Sequence, residues 1–281
     1  MKITAHSLVK NEERFIWFSV MSVIRYVDKI FLWDTGSTDN TVKIIKEILK
    51  VEKVKDRVEF KEVGEVDVNK FTDVRQKMLE ETDSDWFMIV DGDEVWWEDS
   101  IKQIVSTIRT EGEKLDFIVS PYYNIVGDIY HYQDAAAGLY KVGDHSGHIN
   151  IRAVNKHIEG LHFNKPHGQQ GLYDDAEILI QNRNPLRYKF LNEPYMHFTN
   201  VVRSGSRKDD LKVPKRNLKL KYDLGIPFPK TFKYPEIFYL KRPSIVSDPW
   251  VKRSKVFTIR AIIETPFRRM KRRVFKSKVG Y

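Results

Sequence analysis

Cysteine is absent from the 281 residues of the chain. Disulfide bonds, thiolate catalysis and cysteine-ligated zinc are therefore excluded. A bound metal has to rely on Asp, Glu, His or Asn side chains, which are the ligands of a hard, oxygen-coordinated ion.

Long hydrophobic runs are also absent. No apolar run approaches the roughly 18 residues that suggest a membrane-spanning helix. The opening stretch MKITAHSLVKNEE meets charged residues too early for a secretory signal. With 41% hydrophobic and 12% aromatic residues, the sequence predicts a soluble, cytoplasmic globular protein that buries a substantial core.

Acidic residues are scarce in the C-terminal part of the chain. Residues 201–281 hold 23 Lys and Arg against 6 Asp and Glu, a net charge of +17, whereas the first 200 residues hold 25 against 33, a net charge of −8. The overall charge of +9 therefore hides a basic tail. Such a tail suits anionic lipid headgroups, nucleic acid or an acidic polymer, and a solvated surface is the structural alternative.

Hydrophobic periodicity predicts a strand followed by a helix four times in the first part of the chain. The strands are predicted at 2–9, 28–34, 56–63 and 85–91, and the helices after Asn11, after Asp39, at 69–82 and at 98–111. Asn11 is expected to cap the first helix, with Glu12 and Glu13 in its first turn. This alternation favours a parallel sheet with helices on both faces, in which ligands bind beyond the carboxyl ends of the strands.

The pattern changes after residue 111. Longer, partly antiparallel strands are predicted in DFIVSPYYNIVGDIYHYQD and GHINIRAV. The tail VFTIRAIIETPFRRMKRRVFKSK interleaves apolar and basic residues, so as a helix it would be amphipathic, with Pro266 breaking or bending it. Such a helix suits either an anionic membrane surface or packing on the rest of the protein.

Acidic residues collect where the predicted strands end. Asp34 and Asp39 follow the second strand, and the DGDE segment follows the fourth. Gly92 permits a tight turn between Asp91 and Asp93, whose carboxylates can share a divalent cation that keeps positions for water and substrate phosphates. The expected ligand of such a cation is a diphosphate group. An acidic turn is the structural alternative, as is a helix N-cap for Asp39.

Three separated motifs resemble the family 2 glycosyltransferases with the GT-A fold. They are LVKNEERFI (8–16), WDTGSTDNTVKII (33–45) and DWFMIVDGDEVW (85–96), and the first two are similar to a subgroup with V-K-N-E and D-T-G-S-T-D motifs. The resemblance implies an α/β fold of the Rossmann-like GT-A type, with a mixed, mainly parallel sheet flanked by helices. It also implies inverting transfer of a sugar from a nucleotide-diphosphate sugar to an acceptor hydroxyl, with Mn²⁺ or Mg²⁺ as cofactor.

The resemblance also implies a donor site. By this resemblance its residues are Asn11, Glu12, Asp34, Asp91 and Arg75, with packing as the alternative role of Arg75. The residues themselves add Asp39 and Gly92 in the two turns, and Arg203 in a basic loop that can clamp phosphates. Asp91 and Asp93 match the Asp-x-Asp metal motif, and His197 is a candidate third ligand or diphosphate contact, with a buried core histidine as the alternative. Many relatives have a second acid where this chain has Thr35.

An inverting transfer needs a carboxylate or a histidine to take the proton of the acceptor hydroxyl. The candidates are Asp175 and Asp174 in GLYDDAEI and His167 in KPHGQQG, and each also suits a turn. The subgroup often shows an Arg followed by a His-Glu pair. Arg152 fits the Arg, but His167 is followed by Gly168.

We predict a GT-A domain at 1–205 and a basic extension at 206–281, the domain comprising a nucleotide-sugar half (1–125) and an acceptor-side half (126–205). The expected role is a hexosyltransferase-like enzyme of surface glycan or glycolipid synthesis. Its expected acceptor is a glycan or lipid-linked molecule, its basic tail is expected to contact the inner membrane face, and nucleic acid is not an expected partner.

Two alternatives remain open from the sequence. A sugar-phosphate nucleotidyltransferase would be expected to open with a Gly-rich basic loop, which HSLVKNEE is not. A non-catalytic protein that binds polyanions through the basic tail is the second alternative.

Overall fold

Strands and helices alternate through the first part of the chain. The structure, a computed structural model, describes residues 1–67, 70–166, 169–213 and 216–274. Its first elements are β1 (Ile3–Val9), α1 (Ile16–Val23), β2 (Lys29–Asp34), α2 (Thr41–Ile48), β3 (Val58–Glu62), α3 (Lys70–Glu81), β4 (Trp86–Ile89), β5 (Glu94–Trp96) and α4 (Glu98–Glu111).

Short strands dominate the rest of the chain. They are β6 (Phe117–Val126), β7 (His131–Tyr132), β8 (Tyr140–Val142), β9 (His145–Gly147), β10 (Ile149–Asn155), β11 (His162–Asn164), β12 (Gly171–Tyr173), β13 (Tyr188–Phe190) and β14 (Tyr195–Asn200). The C-terminal elements are α5 (Arg207–Leu211), α6 (Arg216–Lys219), β15 (Ile226–Pro227) and α7 (Lys255–Val274). Single turns of 3₁₀ helix lie at Lys55–Arg57, Gly112–Lys114, Ala135–Ala137, Ile180–Asn182, Pro185–Arg187 and Glu236–Tyr239.

The sheet is covered by helices on both faces, because successive strand residues point to opposite sides. On β2, Ile30 and Leu32 belong to a large core cluster that includes apolar residues of α1, α2 and α4. Phe31 and Trp33 point the other way and pack with Met78 of α3. The nearly continuous apolar run of this strand is therefore the signature of a strand buried on both faces.

The pairing order places several chain segments at one edge of the sheet. β1 pairs in parallel with β2 and β4, and β2 pairs in parallel with β3. β10 runs antiparallel to both β4 and β6, and β14 runs parallel to β6. The carboxyl ends of β1, β2, β4 and β14 and the amino end of β10 consequently meet at the same edge. The predicted mixed sheet flanked by helices, with its parallel first half, is confirmed.

The first helix begins later than predicted. α1 starts at Ile16, and Phe15 at its N-cap position makes no side-chain cap bond. Asn11 has a φ of 53°, in the left-handed region, and lies in the loop before the helix. The prediction that Asn11 caps this helix is therefore wrong, because its side chain is bound elsewhere, as described with the site below.

The basic extension packs on the body of the protein. β15 pairs antiparallel with β7, the Arg253 backbone N–H donates to Asp128 Oδ2 at 3.0 Å, and the Leu224 N–H donates to Thr265 Oγ1 at 2.9 Å. α7 continues through Pro266, so of the two effects expected of this proline, a break or a bend, the break does not occur. In the part of the chain that the structure describes, no helix has the length and apolar character needed to cross a membrane.

A histidine lies in the middle of the sheet. The ring of His6 on β1 stacks between Phe31 and Phe87, with ring centroids 5.6 Å and 4.8 Å apart, and its Nε2 lies 2.6 Å from Thr82 Oγ1. Burial, together with the positive charges of Arg75 and Lys156, lowers the pKa of His6 from 6.5 to about 3. The folded protein therefore holds this imidazole neutral.

The stability of the protein should fall in mild acid because of His6. Below pH 6.5 the unfolded chain protonates this side chain and the folded chain does not, so the free energy of unfolding drops by about 1.4 kcal/mol per pH unit down to about pH 3. In urea titrations between pH 7.5 and 5.0, His6→Gln should show a shallower loss of stability than the wild type. Parallel pH dependences for the two proteins would contradict the assignment.

Candidate active site

A cavity of about 640 Å³ lies at the edge where the strand ends meet. Its polar walls come from the loop after β1, the end of β4, and β10, β14 and α6. The charged and polar side chains that line it include Lys10, Glu12, Thr35, Arg75, Asp91, Asp93, Arg152, His197, Arg203, Arg216 and Lys219. The packing of the sheet therefore gathers residues from widely separated parts of the chain.

Asp91 is the acidic residue of the DGDE segment that solvent reaches. Its side chain is 30% exposed, and its Oδ1 accepts from Arg75 Nη2 at 3.0 Å. Arg152 Nη2 lies 3.6 Å from Oδ2. Burial acts to raise the pKa of Asp91, but the two guanidinium groups outweigh it and hold the pKa below its ordinary value. Asp91 is therefore an anion that faces the cavity.

Asp93 is buried in an ion pair. Its Oδ2 accepts from Arg203 Nη1 and lies 3.5 Å from His197 Nε2. The same Arg203 nitrogen lies 3.2 Å from Glu12 Oε1. Burial opposes ionisation of Asp93, but Arg203 and His197 lower its pKa well below the ordinary range. The second acid of the motif is thus charged and covered by an arginine.

Glu94 and Arg152 form a second buried pair beside the first. Arg152 Nη2 donates to Glu94 Oε1, and Arg152 Nε donates to the Tyr195 hydroxyl at 2.9 Å. Burial raises the pKa of Glu94 well above its ordinary value, and Arg152 acts against it. Glu94 Oε1 is also 3.9 Å from His197 Nε2. Glu94 is fully buried, so its role is to hold Arg152 and the turn in place.

Glu12 is a third buried carboxylate and is held from the C-terminal extension. Arg216 Nη2 donates to Glu12 Oε1, while Arg216 also donates to the carbonyl oxygens of Lys10 and Asn11. Burial outweighs Arg203 and Arg216 and raises the pKa of Glu12 to about 8. Glu12 Oε2 is buried and has no hydrogen-bond partner among the described residues.

Gly92 allows the turn to approach this cluster. A Cβ at position 92 would lie 2.8 Å from Cγ and 3.1 Å from Cβ of Glu12, and 3.0 Å from Cγ1 of Val9. Any larger residue would push the DGDE turn away from Glu12. The glycine is therefore required by close packing between the first and fourth strand ends.

Three predicted donor residues, Asn11, Asp34 and Asp39, do not line the cavity. Asp34 accepts from the backbone N–H groups of Gly36 and Ser37, both at 2.9 Å, and from the Ser37 hydroxyl. Asp39 accepts from the Thr41 N–H at 2.9 Å and from the Thr41 hydroxyl at 2.6 Å, but it lies one residue before the N-cap position, which Asn40 occupies, so it is not the N-cap of α2. Both carboxylates stabilise the turn after β2.

Asn11 ties the first loop to that turn. Its Oδ1 accepts from the Thr38 N–H at 2.7 Å, and its Nδ2 donates to the Asp209 carbonyl at 3.0 Å. For Asn11 to contact a bound nucleotide, its side chain would have to give up these hydrogen bonds to the Thr38 N–H and the Asp209 carbonyl. Thr35, in contrast, lines the cavity and donates its hydroxyl to the Val9 carbonyl at 3.0 Å.

Two of the three predicted bases, Asp174 and Asp175, do not line the cavity. Asp174 Oδ2 accepts from Arg183 Nη1, and its Oδ1 accepts from the backbone N–H groups of Ala176 and Ile178. The Ile178 bond, with Arg183, lowers the pKa of Asp174. Asp175 is exposed and does not line the cavity. His167 lies outside the described residues.

The predicted metal ligands share one wall without forming a closed cluster. Among the residues that the structure describes, no group of three or more His, Asp or Glu is arranged to hold an ion. Arg203 supplies the positive charge at Asp93, and buried Nδ1 of His197 has no partner within the described ranges. Two carboxylates and an imidazole fit Mn²⁺ or Mg²⁺ chemically, with Arg203 as the counter-charge that a cation would replace.

Sequence reasoning missed the contribution of the extension. Arg216 and Lys219 of α6 line the same cavity as Asp91 and Asp93. The predicted boundary at 205/206 therefore runs through the wall of the site. In the sequence, the only indication of this contribution is the high density of basic residues after position 200. That density does not show which of these side chains line the cavity.

Solved structures provide partial similarities. S. aureus TarS 1–349 in complex with UDP-GlcNAc is 12% identical, with a TM-score of 0.47, over 73% of this chain and 60% of that one. Glucosyl-3-phosphoglycerate synthase from Mycobacterium tuberculosis, solved with Mn²⁺, UDP and phosphoglyceric acid, is 17% identical, with a TM-score of 0.44, over 76% of this chain and 75% of that one.

A curated relative matches in sequence. The SPbeta prophage-derived glycosyltransferase SunS of Bacillus subtilis (strain 168) is 31% identical over 126 residues, which cover 43% of this chain and 27% of SunS. Glycosyltransferase SunS of Bacillus phage SPbeta gives the same values. The match thus spans only about a quarter of the length of these relatives.

The family comparison covers a larger part of the chain. Residues 7–179 match the domain described as Glycosyl transferase family 2. This stretch is more than half of the chain and includes the V-K-N-E segment, the turn after β2 and the DGDE turn. The family predicted from those motifs is confirmed: the chain belongs to glycosyl transferase family 2.

Proposed function

We propose that this protein is a metal-dependent, inverting glycosyltransferase that takes a nucleotide-diphosphate sugar into the cavity at the sheet edge. The observation that carries the proposal is the DGDE turn, whose Asp91 and Asp93 both line the cavity, Asp91 partly exposed and Asp93 paired with Arg203. Family membership favours sugar transfer over the nucleotidyltransferase considered from the sequence.

The cations of the cavity suit the diphosphate of the donor. Arg203, Arg216 and Lys219 line the wall beside the DGDE turn. When the bond between sugar and phosphate breaks, negative charge grows on the departing diphosphate, and preorganised cations stabilise that charge. Arg216 is already fixed by Glu12, so its position needs no rearrangement to attract the donor, and Arg203 becomes available to the diphosphate when a cation replaces it at Asp93.

Asp91 and Asp93, with His197, are the residues that would hold Mn²⁺ or Mg²⁺. A cation there supplies Lewis-acid stabilisation of the diphosphate. Arg75 and Arg152 keep Asp91 ionised, which a metal ligand requires.

Asp175 is our proposed base. Asp174 is held by Arg183 and two backbone N–H groups, so its oxygens are already engaged. Asp175 is exposed on the same segment as Tyr173, which lines the cavity. The acceptor has to bring its hydroxyl towards this segment, and we propose a glycan or lipid-linked acceptor in surface glycan or glycolipid synthesis at the inner membrane face.

Donor binding should depend on metal and on the DGDE turn. In a thermal-shift screen of UDP-, GDP-, CMP- and dTDP-sugars, we expect one nucleotide class to raise the Tm in the presence of Mn²⁺ only. A donor at about 100 times its Kd adds about 2.7 kcal/mol to the free energy of unfolding, which is a shift of several degrees. Asp91→Asn and Asp93→Asn should each lose this shift.

The matched control is Asp99→Asn, which removes an acid whose side chain is 85% exposed on α4. This variant should keep the full donor shift. The proposal is contradicted if no donor stabilises the wild type with Mn²⁺, or if both variants at the turn are stabilised as strongly as the wild type.

Lys219 should contribute to donor affinity. It lies on the cavity wall and its side chain is exposed, so removing its charge should spare the fold. Since a charge-assisted hydrogen bond contributes about 1.5 kcal/mol or more, Lys219→Ala should raise the donor KM about tenfold. Lys208→Ala, an exposed lysine of α5 that does not line the cavity, is the control in steady-state kinetics. Equal KM values for the two variants would refute this role.

A further inference from the structure

One face of α7 is docked on the protein. Ala261 and Thr265 are buried, and the Arg260 guanidinium lies 3.7 Å from the centre of the Tyr222 ring. Arg268 Nε donates to the Tyr222 carbonyl at 3.2 Å. Buried and half-buried positions recur every three to four residues, so they form one stripe along the helix. The orientation of α7 about its own axis is thereby fixed.

The opposite face of α7 is apolar and exposed. Its side chains are each between 56% and 68% exposed: Val256, Ile259, Ile262, Ile263, Phe267 and Met270. Most of them follow one another at intervals of three or four residues, so they also form a continuous stripe. A surface helix of an isolated globular protein normally turns its apolar stripe towards the core. Here the stripe points outward, and a contiguous apolar surface of this kind marks an interaction site.

Basic residues flank the exposed stripe on both sides. With 100° between successive helix residues, Arg269 and Lys255 fall on one side of the stripe and Lys271 falls on the other. Glu264 is the acidic residue of the helix, and it is paired with Arg260 and Arg268 at 2.9 Å and 2.7 Å. The helix therefore presents an apolar centre with basic residues on both sides.

We propose that this face of α7 docks on the surface of an anionic lipid bilayer. The apolar centre would enter the boundary between headgroups and acyl chains, and the flanking cations would contact anionic headgroups. A second copy of the chain fits less well, because the basic residues of the two copies would face each other. Nucleic acid would satisfy the cations and leave the apolar stripe in water.

The helix is attached firmly enough for such docking to orient the whole protein. The Arg253 N–H donates to Asp128 in the loop between β6 and β7. Phe257 packs against Gly127 in the same loop, so closely that a Cβ at position 127 would lie 2.6 Å from its ring. Binding of α7 to a bilayer would therefore also fix the orientation of the central sheet relative to the membrane. The inference depends on neither the donor nor the metal, and so it goes beyond the proposed sugar transfer.

Vesicle flotation tests the proposal with the full chain. The wild type should float with vesicles of phosphatidylcholine and phosphatidylglycerol at 70:30 and should not float with pure phosphatidylcholine. Ile263→Gln combined with Phe267→Gln should reduce the partition coefficient on the anionic vesicles at least tenfold. The matched control, Leu186→Gln combined with Leu211→Gln, changes two exposed apolar residues elsewhere and should float like the wild type.

The outcomes separate the possible occupants of the face. Equal flotation of both double variants and the wild type would overturn the proposal, because basic charge alone would then explain the binding. A wild-type dimer in sedimentation velocity that the Ile263/Phe267 variant loses, without flotation, would overturn it in favour of a second copy. Near-identical melting curves of the variants verify that they fold, and the donor thermal shift without vesicles reports separately on sugar-nucleotide binding.

Discussion

The arrangement of this protein depends on giving arginine partners to acidic side chains that are buried at one edge of a parallel sheet. Glu12, Asp93 and Glu94 are almost completely buried there. A buried carboxylate without a partner would be strongly destabilising. Each of them is contacted by an arginine from a later part of the chain: Arg216, Arg203 and Arg152 respectively. The buried acids at the strand ends are therefore stabilised only when the second half of the chain folds onto the first.

This constraint links the extension to the site. Arg216 lies beyond the predicted domain boundary, yet it binds Glu12 and the backbone of Lys10 and Asn11. Asp210 of α5 accepts from Arg216 and from the backbone N–H of Arg203. The basic tail is thus two things in succession: a segment that completes the cavity, and a helix that carries an apolar face outward.

The arginines also define what the cavity is ready to bind. Asp91 stays ionised and partly exposed, whereas Asp93 is covered by Arg203. In the function proposed above, the acids of the DGDE turn would hold the divalent cation, and the basic residues of the neighbouring wall would face the donor diphosphate. Glu94 is fully buried and accepts from Arg152, so it positions Arg152 rather than contacting a substrate.

The strands of the first part of the chain were predictable because their hydrophobic periodicity is local. The helices predicted at 69–82 and 98–111 occur at Lys70–Glu81 and Glu98–Glu111. Asn11 was assigned wrongly as a helix cap because a capping residue and a loop residue with positive φ have the same local sequence signature. The roles of Asp34 and Asp39 could not be separated by sequence, since an acid after a strand can bind either a ligand or its own turn.

By itself the sequence determined the family and the alternation of strands and helices, because the motifs and the apolar periodicity lie within short segments. It also determined that acids gather at strand ends, since parallel strands share one carboxyl edge. Only the tertiary structure decided which of these acids face the cavity, which cations of the tail turn inward, and which face of α7 remains in solvent. Those outcomes depend on contacts between residues up to about 200 positions apart, such as Arg216 with Glu12, which no local pattern records.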